Sequence, residues 1–345
     1  MSKLKNLFKN KFFNLFLIFG ISAIVIFVTV KDNFDEVMAT ISKINFFYIV
    51  ILLALSYLVQ VVMAIILKLL TNINRPDYTF FNALSNVTIA SLFHGITPSA
   101  SGGQVIQTYI FRKQGIKIER SLSILLIDFI LYQSALVLVS VVFLIVKFDY
   151  FLANHANLIL LLLLGFIINS AIVMGLFLMS SSKKFYTFVS VKLLNLLVKF
   201  KVVKNKETTL IKLNESLNDF AKAWSNILHH KKAMVTVFSL NILRLLIYYS
   251  IPIFIFWLLG FELSWAIALQ VLVLTSFTYI MNAMMPIPGA SGTTEAVFIS
   301  LMTPQFGYVG AVSASLIWRF TTYYFILFIG MIFFVQFKNY HNKEK

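Results

Sequence analysis

Six blocks of roughly 20 apolar residues recur along the chain, each long enough to carry an α-helix across a hydrocarbon core about 30 Å thick. They cover residues 12–30, 46–70, 122–146, 158–179, 233–259 and 308–337 of 345. Hydrophobic residues make up 59% of the chain and charged ones 12%, against about 25% charged in ordinary globular domains, so a soluble fold is excluded. Two further apolar stretches, at about 80–111 and 265–305, are interrupted by Pro, Gly and Ser. Non-helical backbone survives at membrane depth only where protein or a watery cavity covers it, so these two are expected to be broken or re-entrant helical segments. The expected fold is an all-α polytopic membrane protein with six full transmembrane helices and two re-entrant segments.

Charge sets the expected orientation, because loops rich in Lys and Arg stay cytoplasmic. The N-terminus carries Lys3, Lys5, Lys9 and Lys11, the 112–120 connection Arg112, Lys113, Lys117 and Arg120, and the loop at about 181–232 eleven Lys against Glu207, Glu215 and Asp219. The alternate connections, 31–45, 147–157 and 260–264, carry no surplus of basic residues. A multi-pass protein of the bacterial plasma membrane with both termini cytoplasmic is expected. The Lys-rich start resembles a signal peptide, but no small-residue cleavage site follows near Val30, so the first block is expected to stay as an anchor. Topology and anionic lipid account for the net charge of +16 without nucleic acid, for which no reading motif is present. Within the 181–232 loop, Leu193, Leu194, Leu197 and Val198, and later Leu213, Leu217, Phe220 and Trp224, fall at helical spacing. Either amphipathic helices lie on the inner leaflet there, or the loop is a solvated connector.

The five residues PSASG at 98–102 recur as PGASG at 288–292, an offset of 190 that also sets Thr88 on Thr278 and Asp128 opposite Trp318, beside Arg319. Two repeats are expected, residues 1–150 and 151–345. Each reads as span, span, broken segment, span, and three crossings are an odd number, so consecutive repeats must have inverted topology. Gly/Pro-interrupted segments at matching positions of inverted repeats point to a transporter's substrate site near the midplane.

A helix that begins after Ser101-Gly102-Gly103 or Ser291-Gly292-Thr293 presents free N–H groups and the positive end of its dipole, a setting for anions. Ser99, Ser101, Ser291, Gln104, Gln107, Thr293 and Thr294 add neutral donors suited to a lipid headgroup, and the glycines Gly102, Gly103 and Gly292 let a ligand approach. The serines equally serve as helix caps. Ionisable residues inside spans are costly and usually face a partner or a cavity. Arg244 and Arg319 lie near mid-depth, where they attract a lipid phosphate; an ion pair between Asp128 and Arg319 is the competing static role. Glu295 is placed to pair with Arg244 or Arg319, or to receive a cationic headgroup. His94 is either a polar lining residue or a satisfied structural one. The aromatic excess, including Tyr248, Tyr249, Trp257, Trp265, Tyr323 and Tyr324, mostly fits interfacial belts and lipid-facing surface, and no function is assigned to it. There are no H-E-x-x-H, G-x-S-x-G, Walker A or G-x-G-x-x-G patterns and no Cys, so neither a metal site nor a catalytic residue nor a cofactor is expected.

The segments GITPSASGGQVIQTYIFRKQG (95–115) and MPIPGASGTTEAVF (285–298) resemble the transmembrane domain of the lysylphosphatidylglycerol synthase family, also called multiple peptide resistance factor. The resemblance implies flipping of aminoacylated phosphatidylglycerol to the outer leaflet, with a separate soluble domain making the lipid. Here the chain ends eight residues after the last span, so that synthase domain is expected to be missing. The expected activity is therefore lipid translocation. The alternatives are a membrane subunit that presents lipid to a partner lysyltransferase or glycosyltransferase, and a small-solute or ion transporter. Expected partners are anionic or aminoacylated lipids, a separate synthase or transferase, and a second copy of the chain.

Overall fold

Asn45 opens the first described long span by accepting the N–H of Phe47 on its side chain, and Thr79 does the same for Asn82 at the next helix, each satisfying one of the donors left free at a helix start. The computed structural model describes residues 34–97, 101–155, 159–181, 206–283 and 287–343. The described residues form helices and connections, with no strand among them: α1 (Phe34–Ile41), α2 (Phe46–Asn72), α3 (Phe80–Ile96), α4 (Ser101–Lys113), α5 (Ile118–Val146), α6 (Phe148–His155), α7 (Ile159–Ser181), α8 (Lys206–His229), α9 (Lys231–Leu258), α10 (Trp265–Ala283), a 3₁₀ turn (Pro288–Ala290), α11 (Thr293–Arg319), a π-helical turn (Phe320–Tyr324) and α12 (Phe325–Lys343).

Among the described residues, four stretches are long and apolar enough to cross a membrane: Phe46–Asn72, Ile118–Val146, Lys231–Leu258 and Thr293–Tyr340. Leu163–Ile172 and Trp265–Met281 are shorter apolar helices. The span expected at 12–30 lies outside the described residues, and the one expected at 158–179 falls in α7. Large apolar side chains such as Phe46, Ile145, Ile167 and Phe328 are exposed on these helices, as a lipid solvent requires. Hydroxyls within them return to their own backbone, Ser56 donating to the carbonyl of Leu52 and Thr71 to that of Leu67, which removes the cost of an unpaired donor in hydrocarbon.

Both interrupted stretches fold as helical hairpins. The first is α3 packed on α4, helices of 17 and 13 residues, roughly 25 and 20 Å long and each short of a full crossing. The second is α10 followed by the first arm of α11. The backbone leaves helical geometry at Gly307 (φ 69°, ψ 165°), a conformation that glycine adopts without strain. Glu295 and Arg319, 24 positions apart, would stand about 36 Å apart on a straight helix. They touch, so α11 doubles back at Gly307.

Close helix contact places the hairpins. A Cβ on Gly330 of α12 would meet Leu92 Cβ and the carbonyl of Thr88 on α3, both at 2.8 Å, and one on Gly95 would meet Leu327 at 2.5 Å. These small residues let α3 and α12 lie against each other, the usual device of helix packing in membranes. At the basic end of the bundle, α8 docks through Trp224 and Ile227, both buried with α2 and α5 residues. Lys117 pairs with Asp219 at 3.7 Å and Ser216 donates to Glu119. The apolar face read from Phe220 and Trp224 thus covers protein, which corrects both the leaflet-bound and the solvated expectation for this part of the loop; Leu193 to Val198 lie outside the described residues.

Candidate functional site

Thr97 organises the tip of the first hairpin. Its hydroxyl donates to the carbonyl of Phe93 (2.6 Å) and accepts the N–H of Gly102 (2.8 Å), so the start of α4 is capped by Thr97. A Cβ on Gly102 would lie 2.5 Å from Thr97 Cγ2, and one on Gly103 2.2 Å from the His94 ring. The two glycines therefore make room for α3, which corrects the expectation that they open space for a ligand. The His94 ring packs against Gly103. Gln107 is buried and its carbonyl accepts from Asn86, whereas Ser101 and Gln104 are exposed on α4. Ser99 and Pro98 lie outside the described residues.

The second tip carries its own counter-charge. Glu295, in the first turn of α11, accepts the N–H of Gly292 on Oε2 (2.8 Å) and the Nε–H of Arg319 on Oε1 (2.8 Å). A carboxylate here is stabilised by the helix dipole and by free backbone donors. Arg319 also donates from Nη2 to the carbonyl of Gly289 (3.2 Å) and to Ser291 Oγ (3.3 Å). Thr293 and Thr294 both donate to the carbonyl of Ala290 at 2.9 Å, bracing a turn in which Gly289, Ala290 and Gly292 all have positive φ. Glu295 and Arg319 are 4% and 7% exposed, and a pair this buried depends on further hydrogen bonds, supplied here by Gly292 for Glu295 and by Gly289 and Ser291 for Arg319.

Tyr323 joins the two tips. Arg319 lies 4.0 Å over its ring, a cation–π contact worth about 0.5–2 kcal/mol. Its hydroxyl donates to the carbonyl of Gly95 at 3.1 Å, and a Cβ on Gly289 would meet the same hydroxyl at 2.0 Å. The π-helical turn Phe320–Tyr324 directly follows Arg319; such turns interrupt regular helix packing and recur at functional positions.

Arg244 occupies a second polar cluster. It stacks 4.0 Å over Tyr132, whose hydroxyl donates to that of Tyr279 at 2.8 Å. Tyr279 packs edge-on against Tyr248 and Tyr249, and Tyr248 against Trp318. Asp128, one turn before Tyr132, has a buried Oδ1 without a hydrogen bond, and the charge bearing on it is that of Arg244. The expected Asp128–Arg319 pair does not form: Glu295 holds Arg319 at the second tip, while α9, which carries Arg244, packs on α5. The tyrosine cluster also corrects the belt assignment. Trp257 and Trp265 are exposed at helix ends as belts require, but Tyr249 is fully buried. Mid-span position was the signal that separated them. Among the described residues no group of three or more His, Cys, Asp or Glu is placed to hold a metal ion.

The family model described as the lysylphosphatidylglycerol synthase TM region matches residues 15–330. The chain belongs to this family. As a lysylphosphatidylglycerol synthase TM region, it is a membrane protein of a lipid-related family, and the matched range takes in both hairpins, the Glu295–Arg319 pair and the Arg244 cluster. Compared with curated proteins and with solved structures, the chain matches none.

Proposed function

We propose that the protein is a lipid translocase that moves a polar-headed phospholipid, of the aminoacylated phosphatidylglycerol kind, between leaflets. The observation that carries this reading is the buried Glu295–Arg319 pair at the place where two interrupted hairpins touch through Tyr323. Each member is already neutralised by the other, so a purely anionic headgroup that took Arg319 would leave Glu295 buried and alone, and a purely cationic one would strand Arg319. Breaking a buried pair from one side costs about 3–5 kcal/mol. A headgroup that carries both a phosphate and an ammonium exchanges partners with both residues and leaves no buried charge unmatched. Ser291, Thr293, Thr294, Gly292 and the exposed Ser101 and Gln104 then supply the polar surroundings.

In this reading the chain consists of two inverted repeats, 1–150 and 151–345, with six spans and hairpins that enter from opposite leaflets, and the basic end of the bundle faces the cytoplasm of a bacterium. Movement needs the hairpins to separate and rejoin, as in the rocking or gating of other inverted-repeat carriers. Reconstitution of the full chain in liposomes with labelled lipids, scored by leaflet-specific quenching, tests it. The expected result is faster exchange of zwitterionic or aminoacylated headgroups than in protein-free vesicles, with loss in Arg319→Gln. Equal rates for every headgroup class in the two kinds of vesicle sink the proposal.

A further inference from the structure

At the basic end of the bundle, α3, α4 and α12 part to leave a crevice of about 500 Å³ lined by the polar residues Asn82, Ser85, Lys113, Gln114 and Gln336 and by the rings of Phe337 and Tyr340. Among the described residues its lining includes one cation, several amide and hydroxyl groups and no carboxylate. That donor set suits a phosphate, for which a lysine acts as a point charge beside neutral hydrogen-bond donors. The volume is in the range of pockets that hold small ligands.

The rear wall is fixed. Gln114 donates from Nε2 to the carbonyl of Asn82 (3.1 Å) and accepts the Tyr78 hydroxyl on Oε1 (2.8 Å), while its carbonyl accepts from Arg75. These bonds tie the end of α4, and with it Lys113, to the start of α3. An apolar side is present too: Phe337 lines the crevice, and Tyr109, one turn from Lys113, is 49% exposed. A polar crevice with apolar shoulders fits a molecule with a charged head and hydrocarbon tails, and fits a soluble phosphate ester less well, because the shoulders would remain bare.

We infer that this crevice loads the headgroup phosphate of a glycerophospholipid from the leaflet at the basic end, with Lys113 as its counter-ion. Further along the same seam, Gly330 of α12 is closed onto Leu92 and Thr88 of α3, and beyond it lies Tyr323 on Gly95. A lipid held in the crevice therefore waits outside a closed seam and advances toward Arg319 only when α12 moves off α3. The inference deepens the translocase reading and rests on it for its purpose, but binding and movement are measured separately.

The test uses the full chain in vesicles of phosphatidylcholine doped with headgroup-photoactivatable phosphatidylglycerol, with crosslinked peptides mapped by mass spectrometry. Label is expected on the segments that contain Asn82, Lys113 and Gln336. Lys113→Gln should lower it about tenfold, the scale of losing a hydrogen bond to a charged group, and Lys113→Arg should restore most of it. Arg319→Gln should keep the label while losing transport. Unchanged labelling in Lys113→Gln, at an unfolding temperature equal to that of the parent, overturns the inference. So does displacement of the label by soluble glycerol phosphate as readily as by unlabelled phosphatidylglycerol. Labelling that follows Lys113 in a chain that moves no lipid leaves the crevice standing and removes the translocase reading.

Discussion

Glu295 and Arg319 stand 24 positions apart in the chain and 2.8 Å apart in the bundle, their side chains 5% and 9% exposed. Removing one partner leaves the other charged in hydrocarbon, so Arg319→Gln and Glu295→Gln should each destabilise the protein by about 3–5 kcal/mol. The double variant Glu295→Gln/Arg319→Met leaves no buried charge and should recover most of that loss in thermal unfolding in detergent. Lipid movement should stay absent in all three. A double variant that transports at the parental rate would confine the pair to a structural role.

Gly289 offers a sharper probe of the hairpin junction. A Cβ there meets Tyr323 Oη at 2.0 Å and Cζ at 2.4 Å, and the backbone already sits at φ 58°, which L-residues adopt only at some cost. Gly289→Ala should push Tyr323 off Gly95 and lower the transport rate at least as far as Tyr323→Phe, which loses one hydrogen bond worth about 0.5–1.5 kcal/mol. Gly175→Ala, where no described residue lies within 4 Å, is the matched control and should transport as the parent does. Equal rates for the two alanine variants would show that the tips need not touch.

How much of this was legible in the sequence varies from residue to residue. Membrane class, helix type and the two interrupted segments followed from apolar length and from the PSASG and PGASG motifs, because chain length against bilayer thickness is a one-dimensional constraint. Pairing was not legible. The sequence offered Glu295 two guanidiniums at similar depth, Arg244 and Arg319, and only the reversal at Gly307 decides between them. Gly102 and Gly103 read in the sequence as room for a ligand, but the neighbours that take up that room, Thr97 and His94, are set by the packing of α4 on α3. Tyr248 and Tyr249 had the composition of an interfacial belt, and their ring contacts with Tyr279 depend on a partner helix that no local pattern names.

The loop between α2 and α3 carries a pH-sensitive contact outside the spans. Arg75 Nε lies 3.2 Å from Asp77 Oδ1 and, by its hydrogen bond and charge, holds the Asp77 carboxyl below its ordinary value of 3.8. A carboxyl lowered in the folded state adds stability that is whole above the unfolded value and fades as pH falls through the lowered one. Both residues are substantially exposed, so the increment is small. Asp77→Asn should lower the unfolding temperature slightly at neutral pH, and the difference from the parent should fade as the pH falls through the lowered Asp77 value. A difference that grows on acidification would contradict this sign.

His94 and Gly103 give the last expectation, because each fills what the other leaves. A Cβ on Gly103 would lie 2.2 to 2.3 Å from three atoms of the His94 ring, with no flexible chain end to yield, so Gly103→Ala alone should part α4 from α3 and cost about 1–3 kcal/mol through overpacking. His94→Ala alone should leave a void against Gly103 and also destabilise. Together the two changes exchange volume across the same contact, and the double variant should be more stable than the sum of the singles predicts, with a coupling of about 0.5–3 kcal/mol. Thermal unfolding of the four proteins in one detergent reads that coupling directly. Strict additivity would mean that the ring and the glycine do not meet.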